Sequence, residues 1–366
     1  SAGVYDARFG TNGGASQSVL AADAGAGKWY ALVYNASGPL PGDFALQADF
    51  FTGVALESVT PSTLGNSVPG TLDIRGAGFT PSCPVALVNG GTVFDSTDLG
   101  VISGSQMLAD FDFNVMPAGN YSLRVTSGTN SSDLPFVITG GGQPGLSTKI
   151  IVPRQVGYHA VATVFVEYSN TGQVATLAPI LEVSAQQNGR RAAILTLDES
   201  RLVEGFWTAA MPDGFANSVQ FLASGKTPGI LQPGESGRVP VYYAGWQQPW
   251  DFGYSAIYWN LSVLTADTTN LIDWAALQEF MRPSSYSAEQ WDPVFGSLMT
   301  HIGFTWGDYV RALASNARYL AKLGVNVSDI RDLLSFEVMQ ASGLGITRTL
   351  ASALDAQVQA PGLSIA

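Results

Sequence analysis

The feature that most constrains the fold is a strict alternation of side chains over residues 158–168. Tyr158, Val164 and Val166 fall on one face of the extended chain, and His159 and Glu167 fall on the other. A period of two residues is the signature of a β-strand with one buried face. Similar apolar runs, separated by turns rich in Gly, Pro and Asn, recur from about residue 55 to residue 265, so we predict a mainly β chain of antiparallel strands.

The period changes near residue 270. Apolar residues then recur every three or four positions, which is typical of amphipathic helices. Thr305 is the predicted N-cap of one helix, Asp292 followed by Pro293 that of the helix before it, and Ser328 that of the last one. These signals predict a helical block whose apolar stripes are buried on each other or on a neighbouring sheet.

The charge content excludes several classes of protein. Only 13% of the residues are charged and the net charge is −12, so the chain lacks the basic surface of a nucleic-acid-binding protein. No apolar run reaches the roughly 18 residues that a membrane-spanning helix needs. Cys83 is the single cysteine, which excludes a disulfide framework and a multi-cysteine metal site.

Composition shifts along the chain predict several modules. The chain begins at Ser1 without a Met and closes on an apolar stretch, so we expect a piece of a longer polypeptide. The expected sections are a partial β module over 1–55, a β-sandwich over 56–139, a Gly/Pro linker over 140–147, a second β-sandwich over 148–265, a helical block over 266–345, and a tail over 346–366 that leads to a further domain.

The first two sections resemble known modules of bacterial surface proteins. The G-D-F-x-L run from Gly42 to Leu46, which follows a strand-like run around Trp29, resembles the end of a pre-peptidase C-terminal (PPC) domain. The I-x-G-x-G-F run that ends at Phe79 and the P-x-G-x-Y-x-L-x-V run that ends at Val125 resemble an IPT/TIG immunoglobulin-like (Ig-like) domain. These resemblances imply a fold and no activity.

The later sections resemble two further families. The V-x-Y-x-N-T-G run that ends at Gly172 and the L-x-P-G-E-S run that ends at Ser236 are similar to CARDB-like sandwiches. Residues 148–366 as a whole, with Trp291 and the G-F-T-W-G-D-Y-V run that starts at Gly303, resemble the region upstream of YD-repeat (Rhs/teneurin-like) shells. The resemblance implies a modular extracellular or cell-surface bacterial protein and assigns no catalytic residue.

The fold class expected from both arguments is mainly β, with tandem antiparallel Ig-like β-sandwich modules followed by a small α-helical block. His159, His301 and Cys83 are expected to be structural or surface residues, because no nucleophile motif accompanies them. Asp110 and Asp112 share a strand face opposite Phe111; a solvated strand face is favoured there over half of a calcium site.

Paired carboxylates are the remaining option for an enzyme. A glycosidase needs two carboxyl groups that flank a cleft. The candidates in the Trp-rich region are Glu167, Glu204, Asp251, Asp273 and Glu279, and sequence alone brings no two of them together. A hydrolase with an unrecognised site therefore stays the second alternative.

Aromatic residues are the most suggestive functional feature, since six of the eight Trp fall between residues 246 and 306. Exposed rings stack on sugars or anchor a partner protein. Trp246, Trp250 and Tyr254 are the candidate ligand- or partner-binding residues, with Trp246 and Trp250 expected to be exposed. The favoured alternative is that the aromatic residues cement the second sandwich to the helical block.

The function expected from these observations is a non-enzymatic structural or adhesive segment of a large secreted or cell-surface protein. It would serve module packing, presentation or self-assembly, and carbohydrate binding is the first alternative. We expect no cofactor, no metal, no nucleic acid and no membrane span; the expected partners are neighbouring modules, further copies of the chain or surface glycans. Asn260 is one of five Asn-x-Ser sequons, which chance mostly explains.

Overall fold

The computed structural model describes residues 19–21, 27–31, 45–49, 52–203, 208–253, 255–279, 281–283 and 286–343. The chain divides into two compact units: one comprises residues 1–63, 71–112 and 118–138, and the other comprises 64–70, 113–117 and 139–366. The partial β module expected over residues 1–55 is described only in part, and its described residues 27–31 and 45–49 lie in no strand. Residues 32–44 and 50–51 of that module lie outside the described residues.

The first sandwich is built from nine antiparallel strands within the described residues. They are β1 (Ala55–Thr60), β2 (Thr63–Gly65), β3 (Gly70–Ala77), β4 (Val85–Asn89), β5 (Thr92–Asp95), β6 (Asp98–Ser103), β7 (Gln106–Phe111), β8 (Gly119–Ser127) and β9 (Asn130–Thr139). One sheet has the order β1-β3-β7-β6 and the other the order β2-β9-β8-β4-β5.

This strand order is that of an immunoglobulin sandwich. Lettered along the chain, β1-β3-β7-β6 corresponds to strands A-B-E-D, and β9-β8-β4 corresponds to G-F-C, with β5 added beyond C. The inward residues of both sheets alternate with outward ones and are fully buried, as at Ile74, Leu87, Phe111 and Leu123. The prediction of an Ig-like antiparallel module is confirmed here by the chain's own topology.

The second sandwich lies within residues 146–264. Its strands are β10 (Leu146–Ile151), β11 (Ala162–Asn170), β12 (Thr176–Leu177), β13 (Ile180–Gln187), β14 (Arg190–Arg191), β15 (Ala193–Thr196), β16 (Ser218–Leu222), β17 (Ile230–Leu231), β18 (Ser236–Trp246) and β19 (Tyr258–Leu264). One sheet has the order β10-β11-β18-β15; in the other, β13 pairs with β19 on one side and with β14 and β16 on the other. The short strands β12 and β17 pair with each other.

The alternation predicts β11 correctly from Ala162 onwards, but residues 158–161 are not part of the strand. Tyr158 and His159 lie in a turn instead, because the Ala160 N–H bonds to the carbonyl of Gly157. Val164 and Val166 are fully buried between the sheets and Tyr168 nearly so. Glu167 points outward, where it lies beside Arg238 of β18 at 3.8 Å. Strand β10 begins at Leu146, two residues before the predicted start of the second sandwich at residue 148.

Four helices follow in the described part of the chain: α1 (Trp274–Leu277), α2 (Ala288–Ile302), α3 (Trp306–Lys322) and α4 (Ile330–Ala341). Their apolar faces meet the second sheet as well as each other. Ile180, Leu222 and Leu264 of that sheet belong to the same hydrophobic core as Leu313 and Leu333 of the helices. None of these helices has the length and hydrophobicity that crossing a membrane requires.

The N-cap residues of the helices agree with some of the sequence predictions and differ from others. Thr305 is the N-cap of α3, as predicted, and forms a capping box with Asp308. The prediction for α2 is wrong, because its N-cap is Ser287, which forms a capping box with Gln290. That pair satisfies two backbone N–H groups, so Pro293 comes to lie inside the helix. The last helix is capped by Asp329, one residue after the predicted Ser328.

Two glycines on the helices give opposite predictions. A Cβ at Gly296 of α2 would meet no atom within 4 Å, whereas at Gly307 of α3 it would lie 2.5 Å from the carbonyl oxygen of Ala266. Gly296→Ala should raise the free energy of unfolding by about 0.5–1 kcal/mol through helix propensity. Gly307→Ala should lower it by about 1–3 kcal/mol through overpacking. Urea unfolding measures both; changes of the same sign would contradict this packing of α3.

Candidate functional site

The Trp-rich region does not place its candidate residues together on the surface. Trp246 is only 1% exposed and packs in the core between the two sheets, so the expectation that it is exposed is wrong. The reason is a shift in the pairing of β15 with β18 beside Gly245, which brings Trp246 to the same inward face as Tyr243. Trp250 is half-buried. Tyr254 lies outside the described residues.

The other tryptophans of this region are divided between two cores. Trp259 packs against the same sandwich core that contains Trp246, and its ring meets that of Tyr243 at 6.0 Å. Trp274, Trp291 and Trp306 belong to the core that the helices share with the second sheet. Most of these tryptophans therefore serve packing, as the alternative expected. They are divided between the sandwich core and the core shared with the helices, and do not all lie between the sandwich and the helical block.

Trp250 lies in a segment between β18 and β19 that we call the Trp250 loop, residues 247–253. A β-hairpin supports it. Strands β13 and β14 are joined by Asn188 and Gly189, whose φ angles of 49° and 77° are those of a type I′ turn. This turn directs the Asn188 amide to the carboxylate of Asp251, at 2.6 Å.

Further hydrogen bonds fix the backbone of the Trp250 loop. The Arg190 guanidinium donates to the carbonyl of Gln248 at 2.6 Å and also to that of Pro249. The Tyr158 hydroxyl donates to the carbonyl of Asp251. The Trp250 indole N–H donates to the carbonyl of Trp246 at 2.9 Å. Hydrogen bonds from a charged donor such as Arg190 contribute roughly 1.5–3 kcal/mol each, so these contacts oppose movement of the loop.

Aromatic rings surround Trp250. The Tyr158 ring stacks on it with centroids 5.9 Å apart and an interplanar angle of 7°. Phe252 meets it edge to face at 6.0 Å, and His159 lies at 6.3 Å. Phe252 is 69% exposed. The loop thus presents an aromatic patch, defined here as Tyr158, His159, Trp250 and Phe252, on a rigid support.

A carboxylate whose charge is stabilised, that of Asp251, lies between Trp250 and Phe252 in the sequence of the loop. Hydrogen bonds from Ser255, from the backbone N–H of Gly253 and from Asn188 hold the pKa of Asp251 below its usual range. Asp251 therefore stays ionised and accepts hydrogen bonds at neutral pH. An aromatic surface beside fixed polar groups is the arrangement that binds the apolar face of a sugar while accepting hydrogen bonds from its hydroxyls.

The other carboxylates proposed for a hydrolase have structural partners. Glu167 lies beside Arg238 on an outer sheet face. Asp273 caps α1 by accepting from the N–H of Ala276 at 3.1 Å. Glu279 forms an ion pair with Arg282, which lowers the pKa of Glu279. Glu204 lies outside the described residues.

The two histidines and the cysteine occupy different environments. His159 is exposed at the edge of the aromatic patch. His301 of α2 lies 3.8 Å from Glu337 of α4, a buried carboxylate that accepts a 2.6 Å hydrogen bond from Asn316. Cys83 is fully buried, with its sulfur 3.3 Å from the hydroxyl of Thr80.

The acidic strand face of the first sandwich is occupied by a structural contact. The Thr71 hydroxyl donates to Asp110, while Phe111 and Phe113 point into the core, as the alternation predicts. Among the described residues, no group of three or more His, Cys, Asp and Glu side chains is arranged to hold a metal ion.

One shallow depression lies on the outer face of β10, β11 and β18. Lys149, Glu167 and Arg238 face one another across the three strands. Opposite charges in this row interact with each other, and Arg238 also lies 3.9 Å above the ring of Phe165. This depression is a solvated sheet face with its own charge pairing.

Comparisons with known proteins leave the family open. No family model and no curated protein matches the sequence. Solved structures with a partial likeness include a chimeric titin Z1Z2, at 13% identity and a TM-score of 0.25, covering 59% of this chain and 93% of that one. The titin fragment I67–I69 has 14% identity and a TM-score of 0.20, covering 51% and 64%. A Salmonella α2-macroglobulin mutant has 13% identity and a TM-score of 0.17, covering 57% and 14%. Scores this low carry no argument, so the Ig-like assignment rests on the strand order given above.

Sequence reasoning found Trp250 and missed the residues that position it. Asn188-Gly189 is a strong local signal for a hairpin turn, and it was the available clue to Asn188 and Arg190. No local signal places that hairpin against a loop some 60 residues further along the chain.

The hydrogen bonds of Arg190 predict which change loosens the Trp250 loop. Arg190→Met should increase amide hydrogen exchange in residues 247–253 by about tenfold, because two backbone carbonyls lose a charged donor. The exchange of β11 should stay unchanged. Arg154→Met, at an exposed position, is the matched control. Equal effects of the two variants would contradict the role assigned to Arg190.

Proposed function

We propose that this chain is a non-enzymatic structural or adhesive segment of a large secreted or cell-surface bacterial protein. It packs and presents modules, and it takes part in self-assembly. The single observation that carries the proposal is the succession of domains along the chain. A sandwich with the strand order of an immunoglobulin domain is followed by a second antiparallel sandwich, and the sheet of that sandwich that contains β13 shares a core with the helical block. Such units suit tandem arrangement, because each one buries its own core.

The finer resemblances agree with this role and extend it. The strand order of the first sandwich fits an IPT/TIG-like domain, and the motifs near Gly172 and Ser236 favour a CARDB-like second sandwich. The PPC-like start and the YD-repeat lead-in rest on residue patterns alone. Together they point to a protein in which this segment lies upstream of a larger shell and outside the cell.

Location and native length test the structural role. Antibodies against residues 52–343 should detect a polypeptide much longer than 366 residues in cells that produce it. Protease added to intact cells should remove that signal, while a cytosolic marker protein stays intact. A protected polypeptide that ends near residue 366 would contradict the proposal.

Carbohydrate binding at the aromatic patch is the second candidate function. The observation that favours it is the rigid Trp250 loop, which presents the exposed Phe252 ring and the ionised Asp251 side by side. A rigid loop loses little conformational entropy on binding, so even a small aromatic surface contributes to affinity. The ligand class that fits is a chain of neutral hexopyranoses.

Tryptophan fluorescence during titration with cellohexaose, maltohexaose and chitohexaose tests this candidate. At least one sugar should change the emission. Phe252→Ala should weaken its binding roughly 2- to 13-fold, the equivalent of one lost aromatic contact of about 0.5–1.5 kcal/mol. Phe304→Ala, at a position between α2 and α3 that is also largely exposed, is the control. No response to any sugar, or equal losses in both variants, would remove the candidate.

A further inference from the structure

The free edges of the sheets differ in how well they are protected against pairing with another chain. An unpaired strand edge invites pairing with another chain, and proteins usually prevent this with charge, short length or a covering segment. Most edge strands in the described residues follow that rule. Charged residues lie on β1, β5, β6, β10 and β14, at Glu57, Asp95, Asp98, Lys149 and Arg190 respectively. Strands β2, β12, β15 and β17 have no more than four residues each, and β16 is covered by residues 328–329.

Strand β19 is the exception within the described part of the chain. It is seven residues long, pairs with β13 on one side only, and contains neither a charged residue nor a proline. Its outward side chains include Tyr258, which is 66% exposed, and Asn260 and Ser262, which are hydrogen-bonded to each other at 2.8 Å. Among the described residues, no backbone hydrogen bond from another segment reaches this edge.

The inward side chains of β19 are incompletely covered. Trp259, Leu261 and Val263 pack against the core between the sheets, yet all three remain partly exposed. The corresponding residues of the interior strand β11, Val164 and Val166, are fully buried. The sandwich core is therefore open along this edge, and one more strand would close it.

We infer that β19 pairs antiparallel with β19 of a second copy of this chain, which joins the two sandwiches into one continuous sheet. The inference rests on the self-assembly part of the proposed function and names its interface. In a symmetric pair centred on Leu261, Asn260 lies opposite Ser262 of the other copy. Trp259, Leu261 and Val263 of both strands then fall on one face and extend a common core.

The absence of charge on β19 favours pairing with another uncharged strand over pairing with a charged peptide, and β19 of a second copy is such a strand. The whole chain has a net charge of −12, so two copies repel each other over most of their surfaces. Because β19 carries no charge over its seven residues, contact between two copies through β19 meets less repulsion than contact through a charged surface. The alternation of apolar and small polar residues in β19 also complements itself in the antiparallel sense, which a symmetric interface requires.

Sedimentation velocity of the full chain tests the inference. The wild type should sediment as a dimer of twice 38.5 kDa at micromolar concentration. The double variant Asn260→Lys/Ser262→Lys should be monomeric, because lysines would oppose each other twice across the pair. The variant Asn260→Glu/Ser262→Glu should also be monomeric, and an equimolar mixture of the two should restore a dimer.

A dimer restored in the mixture shows that both variants are folded, since only folded chains re-form the pair. Thr92→Lys/Ser131→Lys adds the same two charges at exposed positions of the first sandwich and should leave the dimer intact. Attachment of a glycan at the Asn260 sequon should abolish it by bulk.

Three outcomes would overturn the inference: a monomeric wild type at 100 µM, a dimer that persists in the lysine variant, or a dimer lost equally in the control. A monomeric wild type whose β19 amides are protected from exchange would indicate that a segment of its own chain covers this edge. These results are separate from the location experiment, so a monomer on the cell surface would refute this interface and leave the structural role standing.

Discussion

The second unit depends on the burial of strand β13 from all sides. Its edges pair with β19 on one side and with β14 and β16 on the other. Leu181, Val183 and Ala185 enter the core between the sheets, while Ile180 enters the core shared with the helices. Because one strand contributes to both cores, the sandwich and the helical block stabilise each other, and neither buries its apolar surface without β13.

The same strand shows how the chain uses its few charges. Glu182 of β13 is nearly inaccessible, and Arg191 of the following strand reaches within 3.9 Å of it. A buried carboxylate needs such a partner, because its desolvation is otherwise costly. The neighbouring Arg190 points to the Trp250 loop instead. One Asn-Gly hairpin therefore supplies a cation to the sheet and another to the candidate site, which ties the order of the loop to the pairing of β13 and β14.

Local patterns were sufficient for some elements and insufficient for others. The alternation over 162–168 and the Thr305 cap are each contained within a few residues, so both could be predicted. The same alternation continues back to Tyr158, where a turn interrupts the strand without any local signal. Asp292-Pro293 was misleading because Ser287 and Gln290 form a better cap five residues earlier. Trp246 and Trp250 looked alike in sequence; a register shift against β15 buries the first, and the distant Arg190 and Tyr158 fix the second. Those contacts join parts of the chain far apart in sequence, which no local signal encodes.

The candidate sugar site and the candidate interface are consecutive in the chain, and this order has a geometric consequence. The Trp250 loop leads into β19 at Tyr258. In an antiparallel pair centred on Leu261, Tyr258 of one copy lies opposite Leu264 of the other, so the two Tyr258 residues are six steps apart, about 20 Å at roughly 3.4 Å per residue. Both aromatic patches then belong to one assembly and keep a fixed spacing from each other. A single glycan chain that engaged both would bind the second patch at high effective concentration, so two weak contacts would act as one stronger site without any new residue.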